Sequence, residues 1–158
     1  MQSVYLETTI PSYLAARPSS QETVALHQKI GHAWWNNDRH RFLLYSSFYV
    51  RQEASEGDAS VAQRRLEYLR GIVELDIPAG IESLEDDLVR LFQLPSKAAT
   101  DASHLGMAIL HRIDYLLTWN CTHLANAKLQ RDLYQYCAYH KLHYPIVCTP
   151  EALIHSLP

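Results

Sequence analysis

Four short apolar runs punctuate the chain: Val4-Tyr5-Leu6, Phe42-Leu43-Leu44-Tyr45, Tyr115-Leu116-Leu117 and Ile146-Val147-Cys148. Most give way at once to polar residues and then to a helical pattern. This rhythm constrains the fold more than any other feature. Apolar runs that do not alternate suit strands buried on both faces, as in a parallel sheet covered by helices. Ile72-Val73-Glu74-Leu75-Asp76-Ile77 alternates in part and reads as an edge strand stopped by Pro78. The expected architecture is α/β, a three-layer α/β/α sandwich with a short, mainly parallel central sheet. A two-layer arrangement would leave too many helices with nothing to cover. With 158 residues, no repeat and no long linker, residues 1–158 read as one domain.

The helices can be placed from periodicity and caps. Pro11 suits the first turn of a short helix, with Thr9 as its N-cap. Residues 22–37 form a helix with Leu26, Ile30, Ala33 and Trp34 as a loose apolar face and His27 beside it. A helix through Phe48, Val50, Glu53 and Ala54 ends at Gly57. Asp58 opens another, to Leu69. Residues 79–94 are amphipathic, and residues 129–141 carry Leu133, Tyr136 and Cys137 inward. Thr149-Pro150-Glu151 starts a last short helix that reaches the C-terminus.

Residues 97–120, KAATDASHLGMAILHRIDYLLTWN, concentrate the chemistry. At about 100° per residue, Ala108 falls about 20° from Asp101 and Leu105 about 40° away. Asp101 therefore lies inside or beside the apolar stripe, and His104 is about 60° away on the other side. An acid there either satisfies first-turn amides or is paired or metal-bound. Position alone leaves both open.

Other acids bear on that choice. Glu7 ends the first strand, Glu53 lies in the helix after the second, and Asn120 ends the strand after Asp101. In a parallel sheet, strand ends and the helices after them share one edge. Glu7, Glu53, Asp101 and Asn120 can converge there on a hard divalent cation, Mg2+ or Mn2+. Such a site can polarise a phosphate oxygen, lower the pKa of water and stabilise charge developing on phosphorus. A zinc site from Asp101, His104 and His111 lacks a tight histidine motif. No glycine-rich phosphate cradle or nucleophile elbow is present.

Composition narrows the setting. The chain is 47% hydrophobic with a net charge of −3, which suits a packed protein and by itself gives no nucleic-acid signal. Arg64, Arg65 and Arg70 make the densest basic cluster and read as solvated surface. Neither a signal peptide nor a membrane span is supported. Cys121, Cys137 and Cys148 read as reduced cytosolic thiols, so a cytoplasmic setting is expected.

Several of these segments together resemble PIN-domain nucleases, in particular the VapC-like ribonuclease toxins of type II toxin–antitoxin systems. Val4-Tyr5-Leu6-Glu7-Thr8-Thr9-Ile10 is similar to the family's first strand and first acidic position. Glu53, before Ala54 and Gly57, resembles the second. Asp101-Ala102-Ser103-His104-Leu105-Gly106-Met107-Ala108 is the most specific match, with Asp101 in the third position. Asp114 to Asn120 resembles the last sheet segment before the fourth. The resemblance implies Mg2+ or Mn2+, endoribonuclease cleavage of RNA, a homodimer and inhibition by a small antitoxin protein. Two departures stand out: Glu7 where aspartate is usual, and Asn120 where the common pattern has an acid. On this reading Glu7, Glu53, Asp101 and Asn120 hold the metal. Thr8 or Thr118 orients water or a phosphate oxygen, and Arg51, Lys97 and Arg112 guide the RNA backbone. The alternative is a PIN-fold module that binds RNA or protein with little or no catalysis.

Overall fold

The computed structural model of the chain describes residues 1–154. Its strands are β1 Ser3–Leu6, β2 Leu43–Ser47, β3 Val73–Leu75, β4 Tyr115–Leu117 and β5 Ile146–Cys148. The α-helices are α1 Thr9–Ala15, α2 Glu22–Asn37, α3 Phe48–Ala54, α4 Ala59–Leu69, α5 Ile81–Phe92, α6 Ala99–Leu110, α7 Ala127–His140 and α8 Pro150–Ile154. The expected continuation of the last helix to the C-terminus lies outside the described residues.

All strand pairings are parallel, in the order β3-β2-β1-β4-β5. The first strand made is thus the central one. Tyr5 stands opposite Tyr45 on one side and Leu116 on the other. The order reverses at β1, and the crevice beyond the carboxyl ends of β1 and β4 is where such sheets bind ligands.

Strand alternation splits β1 between two cores. Tyr5 faces a cluster with Val50 of α3, Leu84 and Leu88 of α5, Leu105 and Ile109 of α6, and Leu133 of α7. Val4 and Leu6 face the other way, toward Ile10 and Leu14 of α1, Trp34 and Trp35 of α2, and Leu153 of α8. The sheet is therefore the middle of three layers, as the apolar runs predict. Ser47 caps α3 by accepting from Val50 N at 3.4 Å, and Asp58 and Asn126 cap α4 and α7. Helices α5 and α6 approach closely at Gly106, where a Cβ would lie 2.6 Å from Ile81 Cδ1. Among the described residues no helix is long and apolar enough to cross a membrane.

Two local expectations change. Helix α2 forms where predicted with its inward face rotated: Trp34 is buried and Ile30 packs against the core as expected, but Leu26 is 55% exposed, and Gln28, Gly31 and Trp35 are buried as well. Gln28 is satisfied there because it accepts from Ser19 N and donates to Arg17 O. Thr8, not Thr9, occupies the N-cap position of α1. The Thr9 hydroxyl is committed elsewhere, as described next.

Candidate metal centre

The carboxyl edge of the sheet gathers residues from four elements. Glu7 follows β1, Glu53 ends α3 after β2, Asp101 and His104 lie one turn apart on α6, and Thr118 follows β4. Glu7 is 4% exposed, so its carboxylate needs internal donors. Its Oε2 accepts from Thr118 Oγ1 at 2.6 Å, Thr9 Oγ1 at 2.5 Å and Thr9 N at 3.1 Å. The Thr9 hydroxyl also accepts from Trp119 N at 2.8 Å. Those bonds fix the carboxylate and leave Oε1 turned toward His104, 3.9 Å from Nε2.

Glu53 Oε1 accepts from Thr8 Oγ1 and meets His104 Nε2, both at 2.7 Å. Burial raises the Glu53 pKa, but the bond and charge of His104 and the Thr8 hydroxyl outweigh it, so the net shift is down. His104 is fully buried. Its burial opposes protonation, yet the Glu53 bond and the charges of Glu7, Glu53 and Asp101 carry its pKa upward. The other ring nitrogen, Nδ1, lies 2.9 Å from Tyr5 Oη, and Tyr5 Oη lies 2.6 Å from Ser47 Oγ. Burial holds the Tyr5 phenol protonated.

Asp101 does not cap its helix. Its carboxylate instead meets Asn120 Nδ2, 3.3 Å from each oxygen, and His123 Nδ1 at 3.3 Å. Burial and then the Glu7 charge raise its pKa, against the pull of His104 and His123. Asn120 thus turns its nitrogen, not its oxygen, toward the acids. Its Oδ1 accepts from the backbone N–H of Thr122 and His123 at 3.2 and 3.0 Å. The opposite amide orientation would set N–H against N–H. In this arrangement Asn120 shapes a turn and steadies Asp101, with its amide oxygen directed away from the acids.

Glu7, Glu53 and His104 each offer a ligand atom, and these atoms all lie within 4.8 Å of one another. Two carboxylates and an imidazole suit a divalent cation, so this is a candidate metal-binding triad. Asp101 borders the triad without belonging to it. The zinc set with His111 is not assembled, because His111 Nε2 bonds Asp76 O at 2.8 Å.

The basic residues expected to guide RNA are dispersed. Arg51 forms a two-pronged ion pair with Glu74, at 2.7 and 2.9 Å, on the wall of a separate cavity of about 480 Å³. Arg112 follows the far end of α6, about 16 Å along the helix axis from Asp101. Lys97 is exposed just before α6, at the same end of the helix as Asp101. Arg64 and Arg65 bond the carbonyls of Ala15 and Glu56, in keeping with a structural surface role.

Tyr5 and Ser47 were not among the site residues expected from sequence, and His104 entered only in the zinc set with Asp101 and His111. The available signal was a buried polar pair: a tyrosine in the middle of the first apolar run, and a histidine one turn from the best acid.

The sequence matches no family model and, at a significant level, no curated protein. Among solved structures, it is similar to a chain in the crystal structure of VapBC2 from Rickettsia felis bound to a DNA fragment from their promoter. The identity is 14% and the TM-score 0.52, with 94% of this chain and 98% of that chain covered. At that identity the likeness bears on fold: a PIN-like, VapBC-type α/β/α sandwich.

Proposed function

We propose that the chain works as a single PIN-like domain, a Mg2+- or Mn2+-dependent endoribonuclease that is the toxin of a toxin–antitoxin pair. The observation that carries this reading is the convergence of Glu7, Glu53 and His104, with Asp101 beside them, in the crevice where the strand order reverses. The VapBC2 likeness supports the toxin–antitoxin setting, and a small antitoxin partner and a homodimer belong to the same proposal.

In this reading Glu7 Oε1, Glu53 and Asp101 hold the cation, directly or through water. The cation would supply Lewis-acid stabilisation of charge on a phosphate oxygen. Thr118 and Thr8 act chiefly on the carboxylates, because each already donates to one of them. Asn120 and His123 keep Asp101 aimed at the pocket. Lys97 is the best placed of the three basic candidates to meet RNA phosphate; Arg51 is tied to Glu74 and Arg112 stands at the wrong end of α6.

The test is cleavage of RNA, DNA and a simple phosphomonoester side by side by purified wild type and Asp101→Asn. RNA alone is cut, only with Mg2+ or Mn2+, and the variant loses at least about 100-fold, the scale of losing one electrostatic stabiliser. RNA cleavage unchanged in a folded Asp101→Asn protein rejects the assignment. The second reading, a binding module with little catalysis, is favoured by the commitment of Asn120 Oδ1 to backbone where a fourth acid is usual. RNA binding without cleavage in either metal supports it.

A further inference from the structure

We infer that His104 is a nitrogen ligand of the metal, so that the pocket is built for a first-row transition ion, of the Mn2+ to Co2+ class, in preference to Mg2+. The inference rests on the reading that this pocket binds a divalent cation, and it concerns which cation and through which atom.

Three observations carry it. The first is the donor set. Nε2 of His104 is one of the three atoms within 4.8 Å of one another, and the other two belong to carboxylates. Imidazole suits transition ions, whereas Mg2+ is bound through oxygen and water. The second is the support behind the ring. Metal-binding histidines carry a hydrogen-bond partner on the other ring nitrogen, which fixes tautomer and orientation. Here Nδ1 meets Tyr5 Oη at 2.9 Å, and Tyr5 Oη meets Ser47 Oγ at 2.6 Å. Without metal Nε2–H donates to Glu53; once Nε2 gives up that proton, the remaining Nδ1–H donates to Tyr5, Tyr5 donates to Ser47, and Nε2 offers its lone pair to a cation among the acids. The ring is fully buried and tilted against Tyr5, with centroids 5.8 Å apart, so it cannot swing away.

The third is spacing. Two ligand atoms at right angles, each about 2.1 Å from an ion, stand about 3.0 Å apart. Nε2 is 3.9 Å from Glu7 Oε1 and 2.7 Å from Glu53 Oε1. Glu7 and His104 are both held fast, while the Glu53 side chain is 32% exposed at the pocket mouth. Nε2 and Glu53 Oε1 must open by about 0.3 Å, a shift that falls on the most exposed of the three side chains, while the 3.9 Å between Nε2 and Glu7 Oε1 sets them about 135° apart across an ion about 2.1 Å from each.

The test uses metal alone, without RNA. Metal-free protein is titrated calorimetrically with Co2+, Mn2+ and Mg2+, for wild type, His104→Gln and Tyr5→Phe. Transition ions outbind Mg2+ at many sites, so the preference itself decides nothing; the change on substitution does. His104→Gln lowers Co2+ affinity at least 10-fold and leaves Mg2+ affinity within about 3-fold, and Tyr5→Phe lowers Co2+ affinity about 10-fold. Because either variant can lose its fold, a second reading comes from wild type. Proton NMR of the Co2+-loaded protein shows a strongly shifted imidazole N–H that persists in D2O, since this ring is sealed from solvent while exposed histidines exchange. Absence of that resonance, equal losses of Co2+ and Mg2+ in a folded variant, or no Co2+ binding at all overturns the inference. Failure to cut RNA would remove the nuclease reading and leave this one standing.

Discussion

Replacing Thr118 by valine tests how the Glu7 carboxylate is held. The two side chains have nearly the same shape, so the change subtracts a hydroxyl from a fully buried position. That hydroxyl donates to Glu7 Oε2 at 2.6 Å and accepts from Asn120 N at 2.9 Å. A hydrogen bond to a charged group contributes about 1.5–3 kcal/mol. The half-buried Asn120 N–H adds about 1 kcal/mol when orphaned, for a total loss of about 2–4 kcal/mol. Water cannot replace the lost donor, because Glu7 is 4% exposed. At about 2–4 °C per kcal/mol for a chain of this size, Tm falls by about 5–15 °C. Urea unfolding followed by tryptophan fluorescence gives a midpoint lower by about 1–2 M at unchanged slope. The exposed Thr23→Val serves as control and stays within about 0.5 kcal/mol. A loss below about 0.5 kcal/mol for Thr118→Val would show that Glu7 is not held by this bond.

The remaining expectations concern pH, metal and packing. The lowered Glu53 pKa contributes stability above its unfolded value of about 4.3, lost as pH falls through the folded value. The raised His104 pKa contributes stability below about 6.5, lost as pH rises through the folded value, while the raised Asp101 pKa subtracts stability on ionisation. The urea midpoint of metal-free protein therefore peaks between about pH 4.3 and 6.5 and declines above, and a flat profile to pH 9 contradicts the pairing. Mn2+ at about 100 times its dissociation constant adds about 2.7 kcal/mol, a rise in Tm that EDTA reverses and Glu7→Gln abolishes in a thermal shift assay. Gly106→Ala forces a Cβ against Ile81 Cδ1 and destabilises by about 1–3 kcal/mol in urea melts. Ile81→Val in the same chain removes that methyl and restores most of the loss; no restoration would place the clash elsewhere.

The fold was legible because short apolar runs followed by polar caps leave few architectures open. Five strands, their parallel direction and the two-sided core follow from runs such as Val4-Tyr5-Leu6 and Tyr115-Leu116-Leu117, whereas the strand order does not. Within the site, Glu7, Glu53 and Asp101 stood out as acids at strand or helix ends. His104 entered only as a zinc candidate beside Asp101, because a helical wheel gives its angle from that acid and says nothing of the strand beneath. Its partner is Tyr5, 99 residues away, and that contact exists only through the register of β1. For Asn120 the residue type was legible, but not that the turn to Thr122 and His123 takes its oxygen. The rotation of α2 was not legible because Gln28 is accommodated inside only through Ser19 N–H and the loop carbonyl of Arg17.

Strand order has a further consequence for when the molecule becomes competent. The sheet is laid down around β1, yet β1 finds β4 only after more than a hundred residues have intervened; Glu7 and Thr118 are 111 positions apart. Such long-range closure is slow and comes late in folding. Glu7 and Glu53 lie before the turn at 93–95, and Asp101, His104 and Thr118 lie after it. A nascent chain stalled at that turn carries two acids with no histidine between them and no hydroxyl from β4. Neither residues 1–92 nor residues 99–154 alone carry the Glu7, Glu53 and His104 triad, so the candidate centre exists only where both halves of the chain are folded together.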